Sequence, residues 1–282
     1  MLKTYYKLTK PGIIMGNAIT AAGGFFLAAR GHLNLASFGF MVLGLSLIMA
    51  SGCVFNNYRD RSLDEKMART KNRALVKGEI PLRNALFFGM SLVTLGSVIL
   101  GIFTNLLTLE VALTGFVVYV FIYTPLKTRT THGTLIGSIS GAIPPIVGYC
   151  AVTDRLDLGA LLLFLIVSLW QMPHFFAIAM YRLSEYKAAS IPVLPAVKGI
   201  YVTKVQMLIY TTAFLVTSVL PTVFGYTGYA YFTVAAFMGI LWLILCIRGF
   251  TTKNDNLWAR QMFKLSLFVI TALSIMISID TV

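Results

Sequence analysis

The stretch "LGLSLIMASGCVFNNYRDRSLDEKMARTKNR", residues 43–73, changes character at Asn56. Before it the stretch carries no charge; from Arg59 onward acids and bases dominate. The uncharged run reaches back to residue 36, and a segment of that length spans the hydrocarbon core of a bilayer, which takes about 20 apolar residues as a helix. The stretch reads as a membrane helix that ends in a polar, charge-dense exit.

Working outward with the same ruler, spans fall at 12–30, 36–56, 84–103, 107–124, 134–153, 158–180, 205–224, 228–247 and 259–279. The composition agrees: 57% of the 282 residues are hydrophobic and 12% are charged, against about 25% charged in a soluble domain. The mean hydropathy is +0.81. No polar stretch is long enough for a separate soluble domain, so residues 1–282 are expected to form one all-α, polytopic domain of nine helices. The basic start followed by an apolar run resembles a secretion signal, but further spans follow and no clean cleavage site appears, so it reads as an uncleaved first helix.

The formal net charge of +13 does not call for a nucleic-acid partner. Assigning loops to alternate sides puts every Lys and Arg except Arg30 and Arg155 on the side of the N-terminus. That asymmetry expects a cytoplasmic N-terminus and, after nine spans, an external C-terminus. Cys53, Cys150 and Cys246 lie inside apolar runs and form no CxxC pair, so neither a disulfide framework nor covalent haem attachment is expected. Asn17, Asn57, Gln171 and His174 sit in or at the ends of spans, and Pro144, Pro145 and Pro173 are expected to interrupt two of them. Polar groups and helix breaks at membrane depth belong beside a protein-lined cavity.

If the second helix continues past the membrane, Asn56, Asp60 and Asp64 repeat every fourth residue and share one face, about 6 Å apart. Hard oxygen donors in that pattern suit Mg²⁺, completed by water and substrate phosphate oxygens. Arg69, Lys71, Arg73 and Lys77 follow closely and could clasp phosphate, the arginines bidentately. A solvated helix face produces the same spacing without function.

"ASGCVFNNYRDRSLDEKMARTKNRALVKG" resembles the first aspartate-rich motif of the UbiA-type intramembrane prenyltransferases, in the form of their haem-modifying branch. The similarity extends through "LTKPGIIMGN" (8–17), "GTLIGSISGAIPPIVGYCAVT" (133–153), "SLWQMPHFFAIAMYR" (168–182) and "EYKAASIPVLPAVKG" (185–199). The resemblance implies a central cavity open to the cytoplasmic side and the bacterial inner membrane as location. It implies transfer of farnesyl from farnesyl diphosphate to a vinyl group of haem B, with addition of water, for terminal oxidases. A haem-copper terminal oxidase or a haem A synthase is the implied protein partner.

Asn56, Asp60 and Asp64 match the family's N-x-x-x-D-x-x-x-D position by position. The haem branch often has another Asp where this chain has Ser62. After the sixth span, aromatic-substrate relatives carry a second D-x-x-x-D, whereas this chain has Arg182 and Glu185-Tyr186. Glu185 is the implied second-motif metal ligand, with Arg182 on the diphosphate. Lys127 follows a tyrosine, as in relatives where that pair flanks the diphosphate, although it also serves as an inside anchor. His174, in "QMPHFF", is either an iron ligand for haem or a helix-end hydrogen-bonder. The rival readings are a prenyltransferase for an aromatic quinone precursor, a transporter and a structural oxidase subunit. The crowding of polar residues at one boundary argues against a transporter, and the acidic stripe against a purely structural role.

The charge asymmetry generates a direct test. A reporter fused after residue 70 is expected to report the cytoplasm and one fused at the C-terminus the exterior; both on one side would refute nine spans.

Overall fold

The structure is a computed structural model that describes residues 2–282. Among the described residues nine helices are long and apolar enough to cross a membrane. They are α1 (Pro11–Ala29), α2 (Leu35–Arg59), α3 (Leu82–Phe103), α4 (Leu106–Leu126), α5 (Gly133–Thr153), α6 (Leu158–Tyr181), α7 (Gly199–Val223), α8 (Tyr229–Arg248) and α9 (Asp255–Ile279). Consecutive helices pack in sequence, and α9 closes the ring on α1.

Most boundaries follow local chemistry. Asn34, Asn105, Asp157 and Asn254 each turn a side-chain oxygen onto the free N–H groups that open α2, α4, α6 and α9. Helices α7 and α9 begin at Gly199 and Asp255, earlier than hydropathy indicates. Their starts are tied together: Lys204 Nζ lies 2.5 Å from Asp255 Oδ1 and 5.5 Å from the centroid of the Trp258 ring.

Prolines decide the irregularities. The break in α5 falls where expected, with one half ending at Gly141 and the next starting at Ile143. Pro144 and Pro145 then occupy the first turn of the second half, where a missing N–H costs nothing. Pro173, by contrast, does not interrupt its helix. Helix α6 runs unbroken from Leu158 to Tyr181 with Pro173 inside it, as membrane helices tolerate when their neighbours support the freed carbonyl. Just ahead of Pro125, residues Val118–Tyr123 form a π turn, in which both the Thr124 backbone N–H and its hydroxyl reach the Tyr119 carbonyl.

The closest contact in the ring is between α1 and α5. A Cβ on Gly24 would stand 2.0 Å from the Pro145 carbonyl oxygen, and one on Gly148 would stand 1.9 Å from that of Ala21. The two backbones touch because neither position carries a side chain, as small residues permit between membrane helices. Gly148→Ala is therefore expected to destabilise the protein by about 1–3 kcal/mol, read as a lower unfolding temperature in detergent. An unchanged temperature would mean that the α1–α5 contact is looser than this.

Candidate active site

The expected stripe forms. Helix α2 ends at Arg59, but helical hydrogen bonding continues: Asp60 N–H donates to the Asn56 carbonyl at 2.8 Å and Asp64 N–H to that of Asp60 at 2.8 Å. A short helix, Arg61–Asp64, carries the last member. Asn56, Asp60 and Asp64 are all buried, at 3%, 6% and 5% exposure. A buried carboxylate needs a cation, and each finds one from a different part of the chain.

Asp60 pairs with Lys127 Nζ, which the widened turn of α4 delivers. Gly133 makes room for it, because a Cβ there would stand 3.0 Å from Lys127 Cα. Asp64 pairs with Arg73 at 2.6 Å, and the same guanidinium nitrogen donates to Asn57 Oδ1 at 3.0 Å. That fork, with the Thr70 hydroxyl on the Asp64 carbonyl, folds the connection after Asp64 back over the end of α2. Asn56 Oδ1 accepts from Lys10 Nζ at 2.6 Å, and its amide donates to the Thr124 hydroxyl at 3.1 Å.

Lys10 is a participant that sequence reasoning passed over as one more inside charge. It links the Leu2–Leu8 helix to α1 in a left-handed conformation (φ 55°), uncommon for a residue with a side chain. Asn57 holds this segment down by donating to the Leu8 carbonyl at 2.8 Å. Burial pushes the Lys10 ammonium down to about 8, and nearby Arg73 and Lys127 act in the same direction while Asp60 opposes them. The one available signal was "LTKPG": a lysine against the proline that opens α1, at the end of the bundle where the stripe lies.

A second cluster adjoins the first. Arg182 Nη1 lies 3.1 Å from Glu185 Oε1, and Arg69 Nε lies 3.9 Å from Glu185 Oε2, a buried oxygen without a hydrogen-bond partner. Met67 packs among Ala189, Ile191, Tyr186 and Val193, docking the two long connections together. The Tyr186 phenol is pushed up to about 12, first by burial and then by the nearby Tyr123 phenol. Of the expected basic set, Arg69, Arg73, Lys127 and Arg182 converge here. Lys71 and Lys77 stand exposed, and their ammonium groups make no hydrogen bond or ion pair among the described residues.

Among the described residues no three His, Cys, Asp or Glu side chains gather as a metal site. The stripe offers two carboxylates and an amide oxygen, all buried, on one face. This is the hard, incomplete donor set that fits Mg²⁺ when a substrate's phosphate oxygens supply the remainder. His174 lies apart on α6, buried at 7% exposure, with Nδ1 2.7 Å from the Ser266 hydroxyl of α9.

The family profile for the UbiA prenyltransferase family matches residues 17–268. The chain is 51% identical over 282 residues, the whole of both chains, to a protein named protoheme IX farnesyltransferase from Protochlamydia amoebophila. It is 50% identical over 281 residues to one of the same name from Yersinia pseudotuberculosis, spanning 99% of this chain and 95% of that one. Its fold matches the solved structure of a digeranylgeranylglyceryl phosphate synthase with a TM-score of 0.83 at 19% identity, over 99% and 98% of the two chains. It also matches a UbiA homologue from Archaeoglobus fulgidus bound to GPP and Mg²⁺, with a TM-score of 0.70 at 15% identity, over 97% and 99%. At those identities the two structures speak for the fold.

The Arg73 fork makes a stability prediction independent of activity. Asp64→Ala leaves the guanidinium without its carboxylate and is expected to loosen residues 65–81, raising the rate of tryptic cleavage there several-fold. An unchanged cleavage rate would show that the apolar packing of Leu75 and Ile80 holds the connection alone.

Proposed function

The chain belongs to the UbiA prenyltransferase family, and from that premise we propose that it transfers the farnesyl group of farnesyl diphosphate to a vinyl group of haem B, giving haem O and diphosphate. The observation that carries the chemistry is the buried stripe of Asn56, Asp60 and Asp64 with its own three cations at one end of the bundle. Full-length similarity to proteins named protoheme IX farnesyltransferase supports haem as the acceptor.

The diphosphate headgroup lies over the stripe. Lys10, Arg73 and Lys127 turn from the stripe oxygens to the phosphate oxygens, with Arg69 and Arg182 flanking. Asn56, Asp60 and Asp64, together with Glu185, would hold Mg²⁺, which when bound would supply positive charge to neutralise the leaving group. As the bond between C1 and the diphosphate oxygen breaks, these cations stabilise the departing anion. The ring faces of Tyr119 and Tyr123, stacked 5.6 Å apart, shield the allylic cation and favour its charge. The terminal carbon of the haem vinyl group then attacks C1. Positive charge appears on the carbon beside the porphyrin ring, water adds there, and a proton is released, leaving the hydroxyethylfarnesyl group. No side chain forms a covalent bond; the protein positions, neutralises and keeps bulk water from the first cation.

In this reading the N-terminus and the stripe face the cytoplasm of a bacterial cell, where the soluble headgroup of farnesyl diphosphate arrives. The product passes to a haem-copper terminal oxidase or a haem A synthase. His174 is the iron ligand that retains haem.

Purified protein supplied with haem B, farnesyl diphosphate and Mg²⁺ is expected to give haem O by mass spectrometry of the extracted haem. Asp60→Ala and Asp64→Ala are expected to lower turnover at least 100-fold while haem binding persists, and a chelator is expected to do the same to the wild type. Prenylation of a phenolic acid with no reaction on haem would establish the quinone-precursor reading instead. Full turnover by Asp60→Ala in excess chelator would remove the metal from the mechanism.

A further inference from the structure

Helices α6 and α9 meet along a seam whose polar atoms the diphosphate site does not use. His174 Nδ1 lies 2.7 Å from Ser266 Oγ, and Ser266 Oγ lies 2.6 Å from the Phe263 carbonyl. A hydroxyl has one hydrogen to give. The oxygen-to-oxygen approach to the carbonyl requires that hydrogen, so toward His174 the hydroxyl is an acceptor. Nδ1 therefore carries a hydrogen, and in the neutral ring the lone pair is then on Nε2. Nε2 has no hydrogen-bond partner among the described residues, although the ring is buried at 7% exposure.

The ring is also fixed in orientation. Trp170 stacks on it at 4.6 Å and 27°, Phe263 lies tilted at 5.0 Å, and Phe175 meets it edge-on at 5.2 Å. The Trp170 indole N–H is anchored on the Ser266 carbonyl at 2.8 Å. A histidine that only tied α6 to α9 would need no more than its one bond, whereas here three aromatic rings and a Ser266 hydroxyl that is itself anchored fix the imidazole with Nε2 unused. A hydrogen bond on the nitrogen that does not bind the metal orients histidine ligands in this way.

Two turns along α6, about 10 Å by helical rise, the same seam reaches Tyr181, which Phe263 also contacts at 5.7 Å. The Arg260 guanidinium lies over the Tyr181 ring at 5.6 Å and holds only an amide oxygen, that of Asn256 at 3.0 Å. No carboxylate pairs with it among the described residues. The Tyr181 ring carries two guanidiniums: Arg182 at 5.2 Å, which is paired with Glu185, and the exposed Arg260, which has no such partner among the described residues. That second cation, at the end of an apolar aromatic strip, suits the carboxylate side of a porphyrin whose iron sits farther in.

Resting on the reading of haem as acceptor, we infer that the α6–α9 seam is the haem seat. Ser266 and Trp170 are positioning residues that hold His174 with Nε2 presented to the iron, and Arg260 receives a propionate. Haem thus enters with its iron held by His174 of α6, steadied by Ser266 of α9, and its carboxylates at the same end of the bundle as the stripe.

The test uses the full chain in detergent, titrated with haem B and followed by absorption and by the iron–histidine stretch in resonance Raman spectra of the ferrous form. His174→Ala is expected to abolish the stretch. Ser266→Ala, which removes the acceptor for Nδ1–H without adding bulk, is expected to shift the stretch to lower frequency and weaken haem affinity about tenfold. Ser266→Thr is expected to restore both. Arg260→Gln is expected to weaken haem B several-fold with the stretch unchanged, and to have no effect on haem dimethyl ester, whose propionates are capped. Wild-type frequency and affinity in Ser266→Ala would overturn the positioning role while haem binding stood. Equal loss of haem B and of its dimethyl ester in Arg260→Gln would overturn the propionate contact. If the wild type bound no haem at all, the acceptor assignment would fall, and the seat with it.

Discussion

Carboxylates buried at the edge of a membrane domain cannot stand alone, and that requirement organises this protein. Removing an ionised carboxylate from water costs several kcal/mol even after the protein relaxes, and only a well-placed cation offsets it. Asp60 and Asp64 each have one, and Asn56 holds a third. The three cations come from the exit of α4, the connection after α2 and the entry to α1. Satisfying the stripe therefore pulls three separate pieces of chain to one point, so the same interactions close the fold and assemble the polar end of the bundle.

The apolar surroundings impose the complementary constraint that backbone polar groups be satisfied within the protein. Each departure from regular helix has a local remedy. The π turn in α4 gives the Tyr119 carbonyl two donors from Thr124, and in doing so aims Lys127 toward Asp60. The interruption of α5 places its two prolines in a first turn, and the second half then lies directly against α1 through Gly24 and Gly148. A widened turn and a break are thus the means by which straight helices bring side chains to one end.

The proposed reaction divides between the two halves of the ring. The diphosphate end is built on α2, α4 and the entry to α1, where charge must be neutralised as a bond breaks. The haem seat is built on α6 and α9, where an aromatic strip and one fixed imidazole suit a flat apolar ring with a metal at its centre. The Met67 contact docks the long connection after α2 onto the one after α6, tying the diphosphate end to the helix that carries His174. Catalysis of this kind depends on holding two greasy substrates in register, which is work for a rigid frame.

The sequence by itself determined the membrane class, the number of helices and the stripe, because all three are written in periodicities of one chain segment. Twenty uncharged residues specify a span, and a four-residue repeat specifies a face, whatever else surrounds them. The sequence could not assign cations to the stripe. Lys10, Lys71 and Lys77 look alike as inside charges, yet only Lys10 reaches Asn56, because Asn57 pins its segment and Lys10 takes a left-handed turn before Pro11. Pro173 was expected to break a helix and does not, for α6 runs unbroken from Leu158 to Tyr181. The partnership of His174 with Ser266 spans 92 residues, and no local pattern carries it. Tertiary structure decided these points because ion pairs, tautomers and tolerated prolines depend on what packs alongside, and in this ring that is set by helices far apart in the chain.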